Sequence, residues 1–133
     1  MSSQHKVVVD TNILFMSIYG SDKAEKILQL ANENKIKLFS PISVKRELET
    51  ILEREFSWNQ EKIQENIDAL PVIWIEKEIY ESVMDKTTVK KYGDKNVEAL
   101  ATILNCNLLT ADTDFDKVKQ KISTDDFLKN FED

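Results

Sequence analysis

Residues 6–14 read KVVVDTNIL, a run of β-branched residues that ends on a carboxylate. Such a run is the pattern of a buried strand. A charge at the tip of one is costly unless it reaches water, a partner or a metal ion. Three further acids stand in comparable places. Asp112 lies two residues past Thr110, after the apolar stretch CNLLT. Asp94 opens the segment that runs on through VEALATIL. Glu47 belongs to SPISVKRELETIL, where Val44, Leu48, Ile51 and Leu52 form one apolar stripe of a helix. At about 100° per residue, Glu47 falls on the margin of that stripe beside Ile51, whereas Glu49 and Glu53 point to water.

Four carboxylates gathered in one crevice repel one another. At an effective dielectric of about 20 and a spacing of about 5 Å, each ionised pair costs roughly 3 kcal/mol. Raised pKa values relieve this, and so does coordination of a hard divalent cation. An all-oxygen set without His or Cys suits Mg²⁺ or Mn²⁺. Such a centre makes a water nucleophilic and shields the charge of a phosphodiester, the chemistry of metal-dependent nucleases. Thr11, Asn12 and Thr110 are placed to support the acids by hydrogen bonds to the carboxylates and their loops. Each acid also has an ordinary reading: Asp94 as a helix cap, Asp112 with Asp114 as a turn and cap, Glu47 as a marginal surface residue, Asp10 as a turn residue. The argument rests on the set, which recurs at matching ends of separate elements. Within it, Glu49 is an alternative to Glu47, Glu98 can share or take the place of Asp94, and Asp114 can join or replace Asp112.

The elements that must position these acids alternate between two periods. Strands are expected at 6–9, 36–39, 72–75 and 106–110, with a short fifth at 121–123. Between them, helical spacing appears at ILFMSIY, at Ala24, Ile27, Leu28 and Ala31, and along the Val44 stripe. It continues at Ile63, Ile67 and Leu70, and from Ile79 towards Lys90 or Lys91. Ser40 and Pro41 read as an N-cap and first helical residue. Gly93 reads as a helix stop, Asp94 as the next cap and DFDKV as the start of a short helix. Alternation of this kind predicts an α/β fold, a parallel sheet of four to five strands with helices on both faces in three layers. Ligands of such sheets bind beyond the carboxyl ends of the strands, which is where Asp10 and Asp112 fall.

The composition narrows the functions further. The chain has 133 residues, 41% of them hydrophobic, enough for one domain with a real core. Its formal charge is −6, from 24 acids against 18 bases. Non-specific attraction to polyanions is therefore absent, and a nucleic-acid partner must be met by local lysines or by metal. Only Gly20 and Gly93 are glycines, which excludes a Walker loop or a GxGxxG turn. The single histidine, His5, precedes the first strand, so triads and histidine metal sites are poorly supplied. The single cysteine, Cys106, is expected as core filler in a reducing compartment. With no leader-like or membrane-spanning run, a cytoplasmic location is expected. No internal repeat or linker is visible.

Four stretches together resemble the PIN domain family, small metal-dependent ribonucleases that include toxins of toxin–antitoxin pairs. VVVDTNIL resembles the opening hydrophobic-Asp-Thr/Ser-Asn motif, and SPISVKRELETIL the second motif, with its acid at Glu47. GDKNVEALATILNCNLLTADTDF resembles the last two, with Asp94 as third acid and hydrophobic-Thr-x-Asp ending at Asp112. The resemblance spans about residues 6–118 and implies strand order 3-2-1-4-5, with the first and fourth strands adjacent. It implies one or two Mg²⁺ or Mn²⁺ ions, single-stranded RNA as substrate, an antitoxin protein as partner and a homodimer. Lys45, Arg46, Lys90, Lys91 and Lys95 are the nearest cations for RNA phosphates.

A catalytically silent module of the same fold, binding RNA or protein, is the competing reading; retention of all four acids favours the enzyme. A phosphoacceptor receiver domain needs an acid pair after the first strand and an aspartate after the third, where this chain has DTN and VIWIEKE. Haloacid-dehalogenase-type phosphatases need DxD where this chain has Asp10-Thr11-Asn12.

Overall fold

The computed structural model describes residues 5–131. Its centre is β1 (His5–Val9), whose Val7, Val8 and Val9 are fully buried. β2 (Ile36–Pro41) lies on one side and β4 (Asn107–Leu109) on the other, both parallel to it. β3 (Val72–Ile75) and β5 (Lys121–Ile122) complete the sheet in order β3-β2-β1-β4-β5. All four pairings are parallel. This is the expected α/β architecture and strand order. A strand paired and covered on every side must be apolar, as the valine run is.

Helices flank the sheet. α1 (Thr11–Tyr19) starts directly after β1 and ends at Gly20, whose φ of 114° suits a residue without Cβ. α2 (Asp22–Asn32) precedes β2, and α3 (Ile42–Phe56) and α4 (Gln60–Asp68) lie between β2 and β3. Val44, Leu48 and Leu52 of α3 are buried, as their spacing predicts. α6 (Tyr92–Leu104) buries Asn96 to Ala101 against the sheet, and α7 (Thr124–Lys129) closes the described chain.

Several boundaries differ from the sequence reading. Ser40 does not cap α3; its hydroxyl donates to the Val9 carbonyl at 2.8 Å, which draws it and Pro41 into β2. Pro41 takes the cap position without a side-chain bond. The helix expected from Ile79 to Lys90 or Lys91 is only α5 (Lys77–Tyr80), followed by a 3-10 turn over Glu81–Lys86. α6 begins one residue before Gly93, with Lys91 at its cap position, so Gly93 does not stop a helix and Asp94 is not a cap. DFDKV forms a 3-10 turn over Thr113–Phe115 rather than an α-helix. His5 lies in β1 instead of before it. Cys106 is half-buried and packs against the core.

Candidate metal centre

The carboxyl ends of β1 and β4 lie side by side, so the acid after each strand enters the same crevice. Asp10 caps α1: its Oδ1 accepts the Ile13 amide at 3.1 Å. Its Oδ2 accepts the Thr110 hydroxyl, and the Thr110 oxygen in turn accepts the Asp112 amide at 3.0 Å. One hydroxyl thus ties the ends of both strands together and aims both acids. Asp10 is only 6% exposed. Burial pushes its carboxyl up to about 6, against the opposing pull of the Thr110 and Ile13 bonds; Asp112 and Asp94 add to the rise.

Glu47 reaches the crevice from α3. Thr11, expected to support the neighbouring Asp10 carboxylate, instead donates its hydroxyl to Glu47 Oε2 at 2.9 Å. The other oxygen, Oε1, lies 2.9 Å from where a Cβ on Gly93 would stand. Real Cβ atoms do not approach that closely, so Gly93 leaves the space that Glu47 enters. Asn12 is exposed and makes no side-chain hydrogen bond among the described residues, against the supporting role expected of it.

Asp94, Asp112 and Asp114 form the tightest group, each offering an oxygen within 4.8 Å of the others'. Asp112 Oδ1 also accepts the Asp114 amide at 2.8 Å, which fixes the turn. Asp94 is raised above the ordinary carboxylate range, first by burial, then by Asp112 and Asp114. Its Oδ2 is buried and accepts no hydrogen bond. A buried carboxylate oxygen facing other carboxylates without a donor is costly, and a hard cation is the partner that such an oxygen fits. The donor chemistry, the orphaned oxygen and the cleared space beside Glu47 all fit Mg²⁺ or Mn²⁺.

The alternatives weighed from sequence separate here. Asp114 belongs to the group with Asp112. Glu98 does not: its Oε1 accepts the Thr88 and Val89 amides at 2.8 and 3.0 Å, and its Oε2 the Thr88 hydroxyl at 3.1 Å. Glu47 rather than Glu49 meets Thr11. Of the cations, Lys91 pairs with Asp114 at 2.8 Å. Lys95 bonds the Thr87 hydroxyl at 3.4 Å, whereas Lys45 is half-buried and Arg46 and Lys90 are exposed. The clearance at Gly93 and the bonding of Glu98 escaped the sequence reading. A glycine directly before an acid, in a chain with two glycines, was the available signal for the first.

Comparison with known proteins bears on the fold and the family. No curated protein sequence matches the chain. Among solved structures, VapBC2 from Rickettsia felis bound to a DNA fragment from its promoter superposes with a TM-score of 0.63 at 18% identity, covering 89% of this chain and 96% of that one. A toxin–antitoxin complex from Klebsiella pneumoniae gives 0.66 at 16% identity, covering 89% and 97%. PAE2754 from Pyrobaculum aerophilum gives 0.61 at 15% identity, covering 96% and 97%. At these identities the likeness is one of fold. The family model for the PIN domain matches residues 7–121, nearly all of the sheet and every acid of the crevice, and the chain belongs to the PIN domain family.

Proposed function

We propose that this protein is a metal-dependent endoribonuclease that cleaves single-stranded RNA, and that it is the toxin of a toxin–antitoxin pair. The observation that carries the reading is the buried, unpartnered Asp94 Oδ2 beside Asp112 and Asp114, with Glu47 and Asp10 near enough to interact with Asp94 electrostatically. These five residues would hold Mg²⁺ or Mn²⁺. Bound there, the metal supplies a nucleophilic water at neutral pH and neutralises charge on the phosphodiester. The chain's own groups set the geometry: Thr110 and the Ile13 amide orient Asp10, and Thr11 orients Glu47. Burial of Asp10 keeps its oxygens from water, so a cation meets them without displacing a full hydration shell.

Lys45 and Arg46 stand on α3 just before Glu47, where they would meet RNA phosphates. Lys95 is already engaged with Thr87 and is a weaker candidate. Two of the structural neighbours are toxin–antitoxin complexes, which supports an antitoxin protein as partner. Exposed Met16, Tyr19, Ile79 and Tyr92 are apolar surface for that partner or for a second copy in a homodimer. No helix among the described residues is long and apolar enough to cross a membrane. We place the protein in the cytoplasm, where its RNA substrate and antitoxin would be found.

The test incubates purified protein with a panel of single-stranded RNAs in Mn²⁺, in Mg²⁺ and in EDTA, beside Asp10→Asn. Cleavage that needs metal and is lost in the variant is the expected result. Equal cleavage by the variant would remove Asp10 from the centre, and no cleavage under any condition would leave a binding module.

A further inference from the structure

The segment Thr87–Lys91 has no regular structure, yet it is held firmly. Val89 is buried in the core, Lys95 bonds Thr87, and the buried Glu98 carboxylate accepts two consecutive amides and a hydroxyl from it. Burying a carboxylate is costly, and three donors offset that cost only while the loop keeps this one conformation. The next two residues are Lys90 and Lys91, which the loop presents to a groove of about 490 Å³. Lys117, Thr88, Asp114 and Asp116 line the same groove.

The groove and the acid centre share a wall, because Asp114 belongs to both. Its charges do not cancel. Lys91 pairs with Asp114, and Asp116 with Lys121 from outside the groove. Lys90 and Lys117 enter no ion pair among the described residues. On a chain of net charge −6, two lysines without ion-pair partners lining one cleft beside the acid cluster are a local place for an anion. A single strand whose scissile phosphate lies at the acids carries the next phosphate a short step away.

We propose that Lys90, Lys91 and Lys117 form a subsite for a backbone phosphate of single-stranded RNA adjacent to the scissile one. Glu98 is the positioning residue that fixes the loop carrying the first two lysines. The assignment rests on the nuclease reading above and adds to it a place for the flanking strand.

The experiment measures binding of a fluorescein-labelled single-stranded RNA octamer by anisotropy, in Mg²⁺ at several salt concentrations, with Asp10→Asn as background. In that background K90A/K117A should weaken binding roughly tenfold and lower the slope of log K against log salt by about 1.4. Glu98→Ala provides a test of sign. Removing a negative charge strengthens polyanion binding on electrostatics alone, whereas loss of loop positioning weakens it several-fold. Glu98→Gln keeps an oxygen for the two amides and should bind as the background does, which also covers the case in which Glu98→Ala does not fold. Unchanged affinity and slope in K90A/K117A would overturn the subsite, as would absence of RNA binding by the background protein. If Asp10→Asn itself degrades the octamer, the nuclease assignment of Asp10 fails, and binding of an uncleavable phosphorothioate octamer still decides the subsite by the same two readouts.

Discussion

Asp94 and Glu98 stand one turn apart on α6, and both carry buried carboxylate oxygens. Glu98 is surrounded by donors, two amides and a hydroxyl from one loop. Asp94 is surrounded by acids, and one of its oxygens accepts nothing. The first arrangement is complete within the protein and has no use for a cation. The second leaves one oxygen without a donor, the place that the proposed function gives to a cation. A carboxylate's role is thus read from its partners rather than from its burial or its place along a helix, and on the proposed function the two residues should differ in every property that depends on metal.

The largest expected difference is in activity. Asp94→Asn should lower RNA cleavage by more than about a hundredfold, while Glu98→Gln stays within a few-fold of wild type; initial rates in Mn²⁺ decide it. Comparable losses in both would mean that the two carboxylates serve one centre. The order reverses for stability. Glu98→Ala leaves two amides without acceptors and should cost about 2–3 kcal/mol in urea unfolding in EDTA, while Asp94→Asn is neutral or stabilising.

Asp10 extends the contrast to pH. Its carboxyl titrates at about 6 in the folded chain against 3.8 ordinarily, so between those values the folded state binds the proton more tightly. In metal-free protein the Asp10 contribution to stability should be fully present below the lower value and fall by up to about 3 kcal/mol as pH rises through the higher one. Asp10→Asn should flatten that slope in thermal melts taken from pH 4 to 8. The smallest effect is expected at Gly93. An added methyl meets only the mobile end of Glu47, so Gly93→Ala should fold normally yet bind Mn²⁺ several-fold more weakly by calorimetry. Unchanged affinity would take Glu47 out of the centre.

How far the sequence alone could go is set by the range of each interaction. The valine run and the two strand-end aspartates are local patterns, and the fold keeps them. The helical-wheel placing of Glu47 on the buried margin and Glu49 in water is reversed: Glu47 is exposed and Glu49 half-buried, and only the contacts with Thr11 and Gly93 bring Glu47 to the crevice. Ser40 and Pro41 also form a good local signal, but the hydroxyl is claimed by Val9, 31 residues away. Helical spacing after Ile79 gives a 3-10 turn to Lys86, and beyond it Thr88 and Val89 donate to Glu98, an acceptor that only the folded chain brings near. The start of α6 was misplaced for a similar reason: Gly93 is there for the clearance of Glu47, a contact between two helices. Nothing in the neighbouring residues of Glu98 separates it from Asp94, since only the donors around each one do so.

The bond between Thr110 and Asp10 joins residues 100 positions apart. At synthesis rates of about 5–20 residues per second, some 5–20 s pass between the appearance of one partner and of the other. During that interval a growing chain has its first strand and its opening aspartate but lacks β4, Thr110 and Asp112. The crevice assembles only after most of the chain exists; on the nuclease function proposed above, translation thereby gains a built-in delay before a newly made chain can cut the messenger beside it.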